Sequence, residues 1–218
     1  MTLLACACGT LRSATELSPD EYELQYVTGS YHASDDRHPG CVPYVRRYLH
    51  DLNVSKERLA RYGQVLNGRL NRFCVALDVG CANGAFVDAA QAAGISRWGV
   101  DLVSPLNVNP KCLVGRAGEL PGGLPDRFDM VTYHDVLEHV VDPLSELDSA
   151  RAILSDGGVL ILDVPDVSTP AGEHHFKPEH LWYFSEQALL GLLRSKGFES
   201  IAVDRPIPGK LVAYGEAR

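Results

Sequence analysis

The chain has 218 residues, 45% of them hydrophobic and 22% charged, a balance that fits a packed globular domain and excludes extensive disorder. Its formal net charge of -8 offers no electrostatic footprint for nucleic acid, and the short basic clusters Arg46-Arg47 and Arg69 to Arg72 read as solvated helix faces. No apolar run is long enough to cross a bilayer, and the segment before Cys6 lacks the basic leader and hydrophobic stretch of a signal peptide or lipid anchor.

Six cysteines, Cys6, Cys8, Cys41, Cys74, Cys81 and Cys112, are scattered, and three fall in or beside apolar strand-like runs, where a thiol behaves as a small hydrophobe. A reduced, cytoplasmic protein is the expectation.

In chain order, residues 1–70 form an N-terminal extension without clean alternation. It is rich in tyrosine, with turn signals at Ser18-Pro19 and His38-Pro39-Gly40. Helical periodicity runs over Val42 to Leu52 and again over Lys56 to Leu66. The texture changes at residue 71, where the main domain, 71–218, begins. Cys74 to Val79 is a short apolar strand ending in a glycine-rich turn, and Ala85 to Ala93 is a helix stopped by Gly94.

Trp98 to Leu102 and Cys112 to Val114 are the next two strands. The connection between them holds Pro105 and Pro110, so it predicts one helical turn or none. A fourth strand, Phe128 to Tyr133, precedes a helix from Pro143 to Leu154 that Gly157-Gly158 terminates. Val159 to Asp163 is the fifth strand, followed by the polar loop Val164 to His180 and a helix from Glu186 to Lys196. Ile201 to Asp204 and Leu211 to Tyr214 are too close in sequence for a parallel crossover, so they predict an antiparallel hairpin. Together the alternation predicts an α/β fold, a doubly wound, mostly parallel seven-stranded sheet with helices on both faces.

The sharpest feature is the strand-to-helix turn Asp78-Val79-Gly80-Cys81-Ala82-Asn83-Gly84. Glycines here let a backbone approach a ligand and aim amide N–H groups at it. About twenty residues on, the next strand ends at Asp101, a carboxylate placed to accept hydrogen bonds from ribose hydroxyls. A dinucleotide fingerprint would need glycines at 80, 82 and 85, and positions 82 and 85 are alanine, which weakens an oxidoreductase reading.

The Asp78-x-Gly80-x-x-x-Gly84 spacing resembles the first motif of class I S-adenosylmethionine-dependent methyltransferases. Phe128-Asp129 with Leu137-Glu138-His139-Val140 and Asp142-Pro143 resembles a later segment of that superfamily. Leu154 to Leu162 and the stretch from Glu179-His180 to Gly197-Phe198 are similar to two more, in the same order. The resemblance covers about residues 74–200 and implies a Rossmann-like methyltransferase domain with S-adenosyl-L-methionine as cofactor and a small-molecule acceptor as partner. It implies that Asp78, Gly80 and Gly84 cradle the methionyl part and Asp101 takes the ribose. It also implies that Leu102, Ala117 and Gly118 contact the adenine. One departure stands out: members that carry Asp after the glycine equivalent to Gly115 contrast with Arg116 here, leaving the adenine amino group to a backbone carbonyl or Glu119.

Methyl transfer from a sulfonium needs alignment more than a conspicuous catalytic residue, and positioning is worth roughly 7–11 kcal/mol. For a hydroxyl acceptor, histidine is the natural base. His134, at a strand end, and His174 and His175, in the loop after the fifth strand, are the candidates. His139 and His180 read as packing or loop-ordering residues. Asp135, Glu138 and His139 are similar to the metal-binding pattern of ubiquinone-pathway O-methyltransferases, though no metal is assigned. Cys6-x-Cys8 with His38 and Cys41 departs from zinc-ribbon spacing and reads as an ordinary N-terminus. Of Tyr22, Tyr26 and Tyr31, at least one is expected to reach the active site. The competing reading is a catalytically silent cofactor-binding or scaffold protein.

Overall fold

The structure is a computed structural model that describes residues 3–7, 9–14, 17–18, 20–22, 24, 42–103, 109–169, 176–177 and 179–218. Strands β1 (Leu3–Ala5) and β2 (Leu11–Ser13) precede helix α1 (Val42–Val65) and a short 3-10 turn, Arg69–Arg72. Then come β3 (Val75–Val79), α2 (Ala85–Ala92), β4 (Ser96–Asp101), β5 (Cys112–Val114) and β6 (Phe128–His134). A second 3-10 turn, Leu137–His139, leads to α3 (Pro143–Ile153), β7 (Leu154–Pro165), β8 (Trp182–Tyr183), α4 (Glu186–Ser195), β9 (Phe198–Asp204) and β10 (Lys210–Ala217).

Seven strands form one sheet in the order β5-β4-β3-β6-β7-β10-β9. β3 pairs in parallel with β4 and β6, while β10 runs antiparallel to both β7 and β9. The fold expected from the alternation is therefore present. Consecutive residues on the central strands face opposite ways: Ala76, Met130, Ile161 and Tyr214 pack with Leu59, Tyr62 and Leu66 of α1 and Phe86 of α2. Their neighbours Leu77, Val131, Leu160 and Ala213 pack with Leu147 of α3 and Leu189 and Leu193 of α4.

Three expectations change. The two helical runs before residue 67 are one helix, because no Gly or Pro interrupts Asn53 to Ser55; the Ser55 hydroxyl donates to the Asp51 carbonyl at 2.6 Å within it. Gly157 and Gly158 do not end a helix. α3 stops at Ile153, β7 starts at once, and the glycines lie where its pairing with β6 shifts register. Finally, β1, β2 and β8 form a separate three-stranded antiparallel sheet that the sequence did not announce, with Leu11 opposite Tyr183 and the Arg12 guanidinium 5.2 Å from the Trp182 ring centroid. Strands of two or three residues carry too little alternation to read. Half of the β4–β5 connection, residues 104–108 with Pro105 among them, lies outside the described residues.

Candidate active site

The turn after β3 is shaped by close approaches. Gly80 has φ +74°, and a Cβ there would collide with Val136 Cγ2, so backbone strain and a side-chain clash both favour glycine. The Gly80 and Cys81 amides donate to the Val100 carbonyl at 2.8 and 3.1 Å, which docks the turn against β4. α1 holds it from the other side. Asn83 donates to Asp51 at 2.7 Å, while Asp88 of α2 accepts from Tyr48 at 2.7 Å and Asn109 at 2.6 Å.

Asp101, at the end of β4, accepts from the Ala82 amide at 2.9 Å and the Val103 amide at 3.1 Å. The two oxygens of a carboxylate have about four acceptor positions, so these bonds leave capacity for a further donor. Burial pushes its pKa up, against these amides.

Beside these residues lies a cavity of about 370 Å³, a volume suited to a cofactor-sized ligand. Gly80, Asp101, Leu102 and Gly118 line it, together with Val136, His139 and the inner side of α3. Asp78, Gly84 and Ala117 are not among the residues lining it. Asp78, nearly fully buried, accepts from the Thr132 hydroxyl at 2.7 Å and meets His134 Nδ1 at 2.9 Å. A glycine-forced turn, a carboxylate at the end of the next strand and a mostly apolar pocket between them suit a nucleoside-linked sulfonium cofactor.

The histidines separate. His134 has both ring nitrogens engaged, Nδ1 by Asp78 and Nε2 by the Tyr62 hydroxyl at 2.8 Å, and it is not among the residues lining the cavity. His139 does line it. Its Nδ1 lies 2.8 Å from the Glu179 carbonyl oxygen, an acceptor only, so the network assigns the proton to Nδ1 and the lone pair to Nε2. Burial lowers its pKa, favouring the neutral base form. His174 and His175 lie outside the described residues, as do Cys8, His38, Cys41, Tyr26 and Tyr31. Tyr22 is buried against the cavity, and its hydroxyl donates to that same Glu179 carbonyl.

Asp135 and Glu138 do not act together as the sequence pattern suggests. Asp135, in the left-handed region at φ 55°, turns to Lys210 and to Arg58 at 3.5 Å. Glu138, His139 and His180 instead bring one potential ligand atom each within 4.8 Å of one another. Among the described residues neither oxygen of Glu138 has a hydrogen-bond partner, and burial raises its pKa strongly.

Sequence reading gave no role to Glu146 and Ser149, which line the cavity, and took His139 as a packing residue or part of a metal-ligand pattern. The available signal was the polar set Ser145, Glu146 and Ser149 on a helix whose other turns bury Leu147 and Ala150.

This sheet order, with a glycine turn after β3 and β10 reversed between β7 and the edge strand β9, is that of class I S-adenosylmethionine-dependent methyltransferases. The family model described as a methyltransferase domain matches residues 46–203, and the chain belongs to that family. It is an S-adenosylmethionine-dependent methyltransferase. Among curated relatives, the ubiquinone biosynthesis O-methyltransferase of Haemophilus ducreyi is 28% identical over 164 residues, covering 56% of this chain and 67% of that protein. That of Actinobacillus pleuropneumoniae serotype 7 is 27% identical over 186 residues, covering 69% and 78%. The fold is shared with the 1,6-didemethyltoxoflavin-N1-methyltransferase of Burkholderia thailandensis, at TM-score 0.66 and 18% identity over 100% of this chain and 99% of that one. Magnesium protoporphyrin IX methyltransferase from Synechocystis PCC 6803 gives TM-score 0.59 at 17% identity, covering 90% and 98%.

Proposed function

We propose that the protein transfers a methyl group to a hydroxyl oxygen of a small-molecule acceptor, with His139 as general base. The observation that carries the role of His139 is its position in the cavity wall with Nδ1 held on the Glu179 carbonyl, which fixes the neutral tautomer whose basic nitrogen is Nε2. Oxygen as the acceptor atom follows the relatives named ubiquinone biosynthesis O-methyltransferases.

In this reading the Gly80 turn, with Gly84 opening α2 and Asp78 bracing β3 from behind, holds the methionyl part of the cofactor. Asp101 takes the ribose hydroxyls, and Leu102 and Gly118, which line the cavity, border the adenine. The bound cofactor supplies an electrophilic methyl on a positively charged sulfur. The chain's own task is then to orient the acceptor in line with that methyl, which positioning alone makes worth roughly 7–11 kcal/mol. Removing the acceptor's proton at His139 adds about 10²–10⁴ in rate. His134 has both nitrogens occupied and is assigned a positioning role.

Incubating the protein with isotopically labelled S-adenosylmethionine and a panel of phenols, amines and carboxylic acids tests the acceptor class. Label appearing on oxygen, with the rate lost in His139→Asn, supports the proposal. Label on nitrogen or carbon only, or an undiminished His139→Asn rate, overturns it.

A second reading has the three-residue cluster on its side. Two imidazoles and the unpartnered Glu138 carboxylate form a donor set suited to zinc or iron. An ion held there would polarise the acceptor oxygen. Methyl transfer that survives both exhaustive chelation and Glu138→Gln would rule this reading out.

A further inference from the structure

Resting on the cofactor reading above, we propose that Glu146 of α3 is the carboxylate that accepts the exocyclic amino group of the cofactor's adenine and so makes the site selective for that base. The cavity runs from the Gly80 turn past Asp101 and Leu102 to a wall where the loop after β5 meets α3. Contact between loop and helix is close there: a Cβ on Gly118 would stand 2.9 Å from Ser149 Oγ. Glu146 lies one turn before Ser149 and lines the same wall.

Three carboxylates line this cavity, and two have other duties. Asp101 sits at the ribose end and accepts the Ala82 and Val103 amides. Asp142 caps α3, accepting from the Leu144 amide at 3.0 Å, the Ser145 amide at 3.2 Å and the Ser145 hydroxyl at 2.7 Å. Glu146 uses Oε1 to accept the hydroxyl of the fully buried Tyr133 at 2.8 Å. That bond fixes the side chain and leaves Oε2 as an oriented acceptor. Glu119, the alternative weighed from sequence, is exposed and belongs to the neighbouring depression, not to this cavity. Burial raises the Glu146 pKa, while the Tyr133 hydroxyl and the charge of Arg116 oppose that rise and favour the carboxylate.

An adenine presents N–H donors at position 6, which a carboxylate accepts. A 6-oxo purine presents a lone pair there, and a carboxylate repels it. Replacement by glutamine supplies an amide that can serve either partner.

The test is calorimetry of S-adenosylhomocysteine and its 6-oxo analogue S-inosylhomocysteine with the wild-type protein, Glu146→Gln and Tyr133→Phe. The wild type is expected to prefer the adenine ligand by about 10- to 150-fold, the worth of a hydrogen bond to a charged group. Glu146→Gln should lose most of that preference, largely by gaining affinity for the 6-oxo ligand, a change that loss of folding does not produce. Tyr133→Phe should reduce the preference a few-fold by loosening Glu146. A wild type that binds both ligands equally overturns the proposal whether or not the variants fold, and so does a Glu146→Gln protein with unchanged preference. A wild type that binds neither ligand instead removes the cofactor reading on which the proposal rests.

Discussion

The Tyr62 hydroxyl lies 2.8 Å from His134 Nε2, with the two rings parallel to within 2°, and this contact joins α1 to the end of β6. On the other side of the imidazole, Nδ1 meets Asp78 at 2.9 Å. A carboxylate accepts from Nδ1–H, so Nε2 accepts from Tyr62, and the phenol's pKa rises well above its ordinary value, chiefly through burial. The same helix carries Arg58, 2.8 Å from Asp163, so the clamp sets where that cation meets the carboxyl ends of β6 and β7.

Tyr62→Phe leaves His134 Nε2 buried without its donor. It should cost about 1–3 kcal/mol of stability in urea unfolding and change affinity for S-adenosylhomocysteine little. A variant as stable as the wild type would mean that the contact contributes nothing.

The sheet order was legible because each central strand is a short apolar run bounded by turn residues. The glycine turn was legible because Gly80, Gly84 and Asp101 are local in sequence. What escaped depends on pairing across long separations. The β2–β8 contact joins residues near 11 to residues near 183 through strands too short to show alternation. Nothing in the sequence marks Arg97 as a buried residue. It is fully buried, 4.8 Å from the Phe86 ring centroid, with no hydrogen-bond partner for its guanidinium among the described residues, and burial pulls its pKa down to about 10. That His139 lines the cavity and His134 does not likewise depends on the fold, and no spacing rule encodes it.

Two glycines separate strain from collision. Gly68 has φ +77° with open space around a Cβ, whereas Gly80 has φ +74° with Val136 Cγ2 in the way. Gly68→Ala should cost about 1–2 kcal/mol from its left-handed backbone alone. Gly80→Ala should cost more and also weaken cofactor binding. Equal losses in parallel urea titrations would show that Val136 yields freely and that the close packing is not a constraint.

The histidine at the cavity wall predicts a pH signature. His139 has a pKa below the ordinary 6.5, so the unfolded chain binds more protons than the folded one as pH falls through that value. Its contribution to stability is complete above about pH 6.5 and declines below it. Glu138 acts with the opposite sign, because its pKa is raised in the fold, so the comparison must be between the wild type and His139→Asn. The wild type should lose more stability than the variant between about pH 6.5 and 5. In turnover, the wild-type rate should hold to below pH 6.5 before falling, and His139→Asn should be about 10²–10⁴ slower. Identical stability profiles would contradict the depressed pKa.

The cofactor site itself is tested most directly by titrating S-adenosylhomocysteine into the wild-type protein and Asp101→Asn by calorimetry. Asparagine keeps the size of the side chain and an oxygen for the Ala82 or Val103 amide, while removing the charge and one acceptor oxygen. Saturable one-to-one binding is expected for the wild type. The variant should be weaker by about 1.5–3 kcal/mol, roughly 10- to 150-fold in Kd. No binding to the wild type, or the same affinity in Asp101→Asn, would contradict the assignment of this cavity to the cofactor.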